Sequence, residues 1–368
     1  MTNHEFYMEL ALKNAKAMKG QTDPNPLVGA VIVNDNRVVG IGAHLKAGEP
    51  HAEIHAIRMA GEAAKGGTIY VTLEPCSHYG RTGPCAIAIV EAGIERVVIA
   101  TLDPNPVVSG NGVNILKDAG IEVTIGVHQE ESQRMNEVFN KFIVEKKPFV
   151  TLKSGITLDG KIATYASNSK WITSEESRND VHHLRNENMA ILVGVNTVIK
   201  DNPELTTRIQ NGRNPIRVIL DSTLKIPLES KVITDNLAET WIFTSKNYDQ
   251  EKEKILKSLG IKVFATNGLE KVEPEEVVQI LGENLVSSVL IEGGGSINAA
   301  FLEKKCIDKV ILYFAPKLIG GKDAPTFLEG AGIEKMADAV DLIDTSIIKI
   351  GKDFKFIGYP SYSKEGIL

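Results

Sequence analysis

The sequence predicts an α/β protein built as two domains, 1–146 and 147–368. Three observations predict it. The chain has 368 residues, more than one core usually organises. Short apolar runs of β type alternate with helical stretches, as when helices layer onto a sheet. The alternation stops at Glu145-Lys146-Lys147-Pro148 and then restarts, and this charged segment ending in proline reads as a linker.

In the first domain, apolar spacing predicts a helix over 3–18. Strands over 27–33 and 38–43 are joined by an Asn34-Asp35-Asn36 turn. The Ala-rich stretch 52–64 is helical and 68–73 is a strand. A helix over 84–92 carries proline at an early position, where its missing N–H costs least. A strand over 96–101, a helix near 113–119 closed by Gly120, a strand over 121–125 and a helix over 130–144 complete the domain. The second domain opens with a strand over 149–152. A helix over 174–185 is capped by Ser174 with acids following. Strands over 190–193, 216–220, 240–244, 262–264 and 288–291 follow with helices between them, and 310–314 begins a strand-rich C-terminus.

Composition narrows the function. Hydrophobic residues at 43% and charged residues at 24% are ordinary soluble globular usage. The net charge of −6 argues against a dedicated nucleic-acid binder, which would show a basic face. No apolar run approaches the length that spans a bilayer, and the N-terminus reads as an amphipathic helix rather than a targeting signal. Three cysteines exclude a disulfide framework and point to a reducing compartment, with cytoplasm the expectation.

Those cysteines carry the chemistry. His51-Ala52-Glu53, Glu74-Pro75-Cys76 and Pro84-Cys85 supply one imidazole and two thiolates, a three-ligand zinc set with a fourth position left for water. Zinc lowers the pKa of that water to about 7, which makes hydroxide available at neutral pH. His51 and Cys85 each open a helix, and helix N-termini favour thiolate. Glu53 is the proton carrier rather than a ligand, as in the H-x-E and P-C pattern of zinc deaminases. His51 and His55 also stand at the spacing of a helical zinc pair, but that motif needs Glu directly after the first histidine and position 52 is Ala. Cys306 has no partner motif and reads as core.

Nucleoside and polynucleotide deaminases usually read P-C-x-x-C. Here eight residues, SHYGRTGP, separate Cys76 from Cys85. A longer loop carrying Arg81 suits an anionic substrate. These segments, with Gly80-Arg81-Thr82, resemble the deaminase half of the bifunctional pyrimidine deaminase/reductases of riboflavin biosynthesis. That family often has proline where Gly83 stands, a change that alters loop stiffness only. Asp23-Pro24-Asn25-Pro26-Leu27-Val28-Gly29 resembles its N-terminal signature, and Asp103-Pro104-Asn105-Pro106 the loop that closes its pocket. The resemblance implies substrate contacts at Asn25, His44, Arg81, Asp103 and Asn105. From residue chemistry alone, Asp103 and Asn105 also suit a plain proline-rich turn.

The second domain shows no metal set. Its best local signal is 289–298, a strand, a glycine turn (Gly293-Gly294-Gly295) and a helix, which lets backbone N–H groups approach a phosphate. A tight connection with no ligand would look the same. Segments 152–161, 194–198 and 201–208, with Asp221-Ser222 ending a strand, resemble the reductase half of the same family. The resemblance therefore covers essentially the whole chain. It implies an N-terminal cytidine-deaminase-like three-layer α/β/α domain and a C-terminal dihydrofolate-reductase-like α/β domain. It also implies one Zn2+ per chain at the deaminase site, NADPH at the reductase site and a homo-oligomer.

By position, the resemblance places Gly155, Trp171, Thr197, Asp201, Ser222 and the turn Gly294, Gly295, Ser296, Ile297, Asn298, Ala299 and Ala300 against NADPH. It places Lys153, Ser169, Arg185, Leu205, Arg208 and Glu292 against a phosphorylated sugar. Arg185 and Arg208 can each grip a phosphate with a planar fork, although Arg185 could equally be a solvated helix charge. Asp201 and Lys153 are the titratable groups to test for proton handling, and Asp201 also suits a turn before Pro203. The implied activity is deamination of 2,5-diamino-6-(5-phosphoribosylamino)pyrimidin-4(3H)-one, then NADPH-dependent reduction of the ribosyl to a ribityl chain. The alternative is a nucleoside or nucleic-acid base deaminase with an accessory non-catalytic domain, which predicts a basic groove and no dinucleotide binding.

Overall fold

The computed structural model describes residues 3–77, 83–105 and 108–362, and the chain divides into two units, Met1–Lys146 and Lys147–Leu368. In the first unit the elements run α1 (Asn3–Lys16), β1 (Gly29–Asn34), β2 (Arg37–Ala43), α2 (Ala52–Ala60), β3 (Thr68–Val71), α3 (Cys85–Glu91), β4 (Arg96–Ile99), α4 (Asn111–Asp118), β5 (Glu122–Ile125), α5 (Gln129–Met135) and α6 (Glu137–Glu145). The strands form one sheet in the order β2-β1-β3-β4-β5. β1 is antiparallel to both β2 and β3, whereas β3, β4 and β5 run parallel.

Alternate side chains of these strands point to opposite faces and feed two separate cores. Ala30, Ile32, Ile69, Val71, Val97 and Ile99 pack under α2, α3 and α4. Val31, Val33, Tyr70 and Val98 pack against Met8, Ala11 and Leu12 of α1. The result is three layers, α/β/α. α2 lies so close to β2 that a Cβ at Gly42 would sit 2.0 Å from the Ala52 carbonyl oxygen. This contact fixes the start of α2, directly after His51.

Two predicted helices are broken. The helix expected over 130–144 divides at Asn136, a residue 3% exposed. Its side chain accepts from Leu27 N–H at 2.8 Å and donates to Leu27 C=O at 2.9 Å, so it serves a distant loop instead of the helix surface. The helix expected over 52–64 ends at Ala60, and Gly61 (φ 53°) turns it into a 3-10 turn, Gly61–Ala64.

The second unit runs β6 (Phe149–Thr157), α7 (Glu175–Glu187), β7 (Ala190–Gly194), α8 (Val195–Asp201), β8 (Ile216–Leu220), α9 (Lys231–Thr234), β9 (Thr240–Thr244), α10 (Gln250–Ser258), β10 (Lys262–Ala265), α11 (Pro274–Glu283), β11 (Ser288–Ile291), α12 (Gly295–Glu303), β12 (Lys309–Ala315), β13 (Asp341–Ile350) and β14 (Asp353–Ser361). Its sheet has the order β10-β9-β8-β7-β11-β6-β12-β14-β13. β10 through β12 are parallel, and the β13–β14 hairpin adds antiparallel. Val150, Leu192, Val218 and Ile291 pack on one face with Val277, Leu281 and Phe301. Ile191, Val193, Ile219 and Ile242 pack on the other with Val198 and Leu256.

α7 begins as the sequence indicates. The Ser174 side chain accepts from Ser177 N–H. Asp353, fully buried on β14, accepts from Ser174 N–H at 2.6 Å and from the Ser177 hydroxyl at 2.8 Å. The strand expected over 149–152 extends to Thr157, because β6 pairs with β12 from Thr151 to Thr157. The segment 294–300, expected as a turn, is the start of α12, with Gly294 as its N-cap. No helix among the described residues is long and apolar enough to cross a membrane.

Candidate metal centre and charged cleft

His51 is the N-cap residue of α2 and Cys85 the first residue of α3, while Cys76 sits in the loop after β3. The His51 Nδ1 lies 3.5 Å from Cys76 Sγ and 3.3 Å from Cys85 Sγ. All three donor atoms fall within 4.8 Å of one another. Ligand bonds of about 2.3 Å to sulfur and 2.0–2.1 Å to nitrogen at tetrahedral angles would separate such donors by about 3.5 Å, so the set fits zinc. His55 stands outside this cluster. Cys85 hydrogen-bonds Cys76 and holds the Cys76 thiol well below its usual range. The backbone N–H of Cys85 adds a further bond to the Cys76 sulfur at 3.3 Å.

Glu53 lies in the first turn of α2 and is 3% exposed. Its Oε2 has no hydrogen-bond partner, and burial pushes its carboxyl up to about 7. Such a carboxyl can both hold and release a proton near neutrality. A cavity of about 270 Å³ opens onto Glu53 and Cys76 and is lined also by Asn25, His44, Asp103 and Asn105. Asn25 Nδ2 and His44 Nε2 are 3.1 Å apart, and His44 Nδ1 is 3.3 Å from the Pro50 carbonyl. Burial lowers the pKa of His44, so a neutral ring donates to Pro50 and accepts from Asn25. Arg81 lies outside the described residues.

Sequence reasoning missed the role of Glu74. Its buried carboxylate accepts from the N–H groups of Asp103 (3.2 Å), Gly110 (3.0 Å) and Val113 (3.2 Å). It thereby staples the loop that carries Asp103 and Asn105 to the strand end that carries Cys76. A Cβ at Gly112 would sit 2.0 Å from the Pro75 carbonyl oxygen, so the same corner admits only glycine there.

The second unit holds two adjoining cavities of about 710 and 510 Å³. Lys153, Ser169, Arg185, Arg208 and Glu292 line both, as do Gly155 and Trp171. Thr197, Asp201 and Leu205 line the second only. Ser222 and residues 294–300 line neither. Asn298 and Ala299 are buried, Asn298 Nδ2 donates to Phe327 C=O at 2.6 Å, and the Ser296 hydroxyl donates to Glu329 at 2.8 Å.

The cleft is organised by Glu292 at the end of β11. Lys153 Nζ donates to its Oε2 at 2.7 Å, and Arg185 grips it with Nε at 2.8 Å and a terminal nitrogen at 3.0 Å. Burial alone would push the Glu292 pKa up, but Arg185 and Lys153 outweigh it and hold the group well below the usual carboxylate range. The other Arg185 terminal nitrogen donates to Thr206 C=O at 3.0 Å. The planar fork expected to grip a ligand is thus largely closed on the protein's own carboxylate. Asp180 on α7 takes the Tyr313 hydroxyl and, at 2.7 Å, the Lys355 ammonium, which ties α7 to the sheet. Trp171 is 62% exposed and is stacked by the Arg178 guanidinium at 4.4 Å. Cys306, expected as core, is only half-buried, at the edge of a core cluster.

A His/Cys/Cys set beside a buried glutamate, on a three-layer α/β/α unit, is the arrangement of a zinc deaminase. The parallel sheet with its added hairpin and cationic cleft forms a second site in the other unit. Known proteins agree on both. Residues 1–101 match the cytidine and deoxycytidylate deaminase zinc-binding region, and residues 148–356 match the RibD C-terminal domain. The chain is 48% identical to riboflavin biosynthesis protein RibD of Bacillus amyloliquefaciens, covering 98% of each. It is 45% identical to that of Aquifex aeolicus, over 94% of this chain and 96% of the relative. The solved structure of Acinetobacter baumannii RibD superposes with a TM-score of 0.87 at 39% identity, over 97% of this chain and 99% of that one. The chain belongs to the RibD family, the bifunctional deaminase/reductases of riboflavin biosynthesis, whose deaminase domain binds zinc and whose reductase domain uses NADPH. A base deaminase with a non-catalytic accessory domain is not favoured, because the likeness spans both units.

Proposed function

We propose that Met1–Lys146 deaminates 2,5-diamino-6-(5-phosphoribosylamino)pyrimidin-4(3H)-one and that Lys147–Leu368 reduces the sugar of the product. A Thermotoga maritima structure described as the deaminase and 5-amino-6-(5-phosphoribosylamino)uracil reductase of this chemistry is 38% identical, with a TM-score of 0.81. The observation that carries the reading is the His51–Cys76–Cys85 cluster with the buried carboxyl of Glu53 beside it.

His51, Cys76 and Cys85 would hold the zinc, which as a Lewis acid lets water supply the attacking oxygen at neutral pH. The remaining work belongs to the chain. Glu53 takes a proton from water and delivers it to the ring nitrogen. It then carries the second proton to the departing amine, so that water enters and ammonia leaves. Asn25, oriented by His44, meets the ring edge with an amide that both donates and accepts. Asp103 and Asn105 close the pocket on the loop that Glu74 anchors.

In the second unit bound NADPH would supply a hydride for C1′ of the sugar, with a proton going to the adjoining nitrogen, and the chain's own residues would bind and orient the two. Gly155, Trp171, Thr197 and Asp201, which line the cleft, would border the cofactor. Lys153, held at 2.7 Å by Glu292, is the group assigned to proton handling in this reading. Ser169, Leu205 and Arg208 face the phosphorylated sugar. Association of copies belongs to the same reading. β13 closes the sheet as an edge strand with Ile347 (62%) and Ile348 (50%) exposed, a pattern monomers normally blunt. The test is incubation with the diaminopyrimidinone ribosylamine phosphate, with and without NADPH. The reading requires ammonia in both arms and cofactor oxidation only after ammonia release. NADPH oxidation with no ammonia would overturn that order.

A further inference from the structure

Arg178, His182 and Arg185 stand at i, i+4 and i+7 of α7, on one stripe of the helix, and all three line the larger cavity of the cleft with Arg208 and Ser169. The stripe is locked to the 206–208 segment by two bonds. The Thr207 hydroxyl donates to His182 C=O at 3.0 Å, and Arg185 donates to Thr206 C=O at 3.0 Å. Arg185 has also given two donors to Glu292. Arg208, by contrast, is 67% exposed and only 4.0 Å from its nearest carboxylate, Glu204. A phosphate arriving in the cleft therefore meets the open guanidinium of Arg208, that of Arg178 stacked on Trp171, the largely committed one of Arg185 and the ring of His182. Among the described residues, His182 Nδ1 is buried without a hydrogen-bond partner.

We propose that His182 is a phosphate-binding residue of the reductase cleft, acting with Arg208 and taking up a proton as the phosphorylated sugar binds. The inference rests on the assignment of this cleft to the phosphorylated sugar. The electrostatic setting supplies the switch. Without a ligand, burial, Arg185 and Arg208 depress the His182 pKa, while Glu292 and the Thr206 carbonyl oppose them. Tyr313 from β12 and Lys153 from β6 line the same cavity, and Lys153 is neutralised by Glu292. A phosphate dianion placed between the ring and Arg208 reverses the sign of the local field and favours the imidazolium. The affinity this adds is fully present below the pKa of the free protein and is lost as pH rises through the higher pKa of the complex.

The experiment measures reductase KM and kcat of the full chain from pH 6 to 9, with the deaminated phosphoribosylamino substrate. Wild type, His182→Asn, His182→Lys and Arg208→Ala are compared, with inhibition by inorganic phosphate as a second readout. His182→Asn is expected to raise KM about 10-fold near pH 6.5, the size of one charge-assisted hydrogen bond. It should leave kcat within about 2-fold and remove the part of the pH dependence that the substrate's own phosphate, with a pKa near 6, does not explain. His182→Lys should keep the low KM and extend it to higher pH, which a structural role for the ring would not produce. A His182→Asn KM and pH profile matching wild type, with Arg208→Ala still raising KM, would overturn this inference alone. Unchanged KM in both variants would remove the phosphate assignment of the cleft itself. A raised KM that His182→Lys fails to rescue would also count against the proposal.

Discussion

Two deeply buried glutamates meet opposite fates in the two units. Among the described residues Glu53 has no ion pair, its Oε2 has no hydrogen-bond partner, and burial pushes its carboxyl up to about 7. Glu292 is less withdrawn, its side chain 10% exposed, and Lys153 and Arg185 clamp it as an anion. The difference teaches what each site is for. A carboxyl whose proton is loosely held can carry protons, whereas one that never takes a proton can only orient the cations around it. Glu53 is suited to moving protons, and Glu292 to holding charge in place.

Four variants break or sharpen this contrast. Cys76→Ala should have the largest effect. It removes a ligand, so zinc measured by metal analysis should be lost and ammonia release should fall by at least about four orders of magnitude. Glu53→Gln should keep zinc and fold but slow ammonia release by about 10²–10⁴. Retention of full deamination would refute the proton-carrying role. Because folding raises the Glu53 pKa, zinc-stripped wild type should lose stability as pH climbs from about 4.3 towards 7, and Glu53→Gln should abolish that slope. Glu292→Gln leaves Lys153 and Arg185 without their counter-charge. It should destabilise the second unit by roughly 3–5 kcal/mol in chemical denaturation and abolish cofactor oxidation while sparing deamination. The sign is opposite to that of Glu53. Glu292 is depressed on folding, so its contribution is present above about pH 4.3 and is lost on acidification. Arg208→Ala should have the smallest effect, raising the reductase KM about 10-fold with ammonia release unchanged.

The same contrast explains what was legible in the sequence. His51, Glu53, Cys76 and Cys85 lie within 35 positions at strand-to-helix corners, and each side chain's role follows from its own chemistry and local start of helix. Ser174, with acids behind it, announced α7 for the same reason. The clamp on Glu292 was not legible. It joins residues 139 and 107 positions apart, and no periodicity reports such a meeting. Asn136 was hidden likewise, because its duty lies with Leu27, 109 positions away. Glu74 was visible as part of the motif, but its three backbone partners exist only once the loop before α4 folds over it. The glycine run 293–295 is legible in the sequence as a strand-to-helix junction, between β11 and α12. A Cβ at Gly295 would lie 2.5 Å from the Thr326 carbonyl oxygen, so the chain itself covers that corner.

The central claim is that proton transfer at Glu53 and charge-holding at Glu292 belong to two self-sufficient sites. The direct measurement supplies Glu53→Gln protein with already deaminated substrate and NADPH and follows cofactor oxidation. Oxidation at the wild-type rate is predicted, although the same protein releases almost no ammonia from the diamino substrate. A fall in oxidation in step with the loss of ammonia release would contradict it.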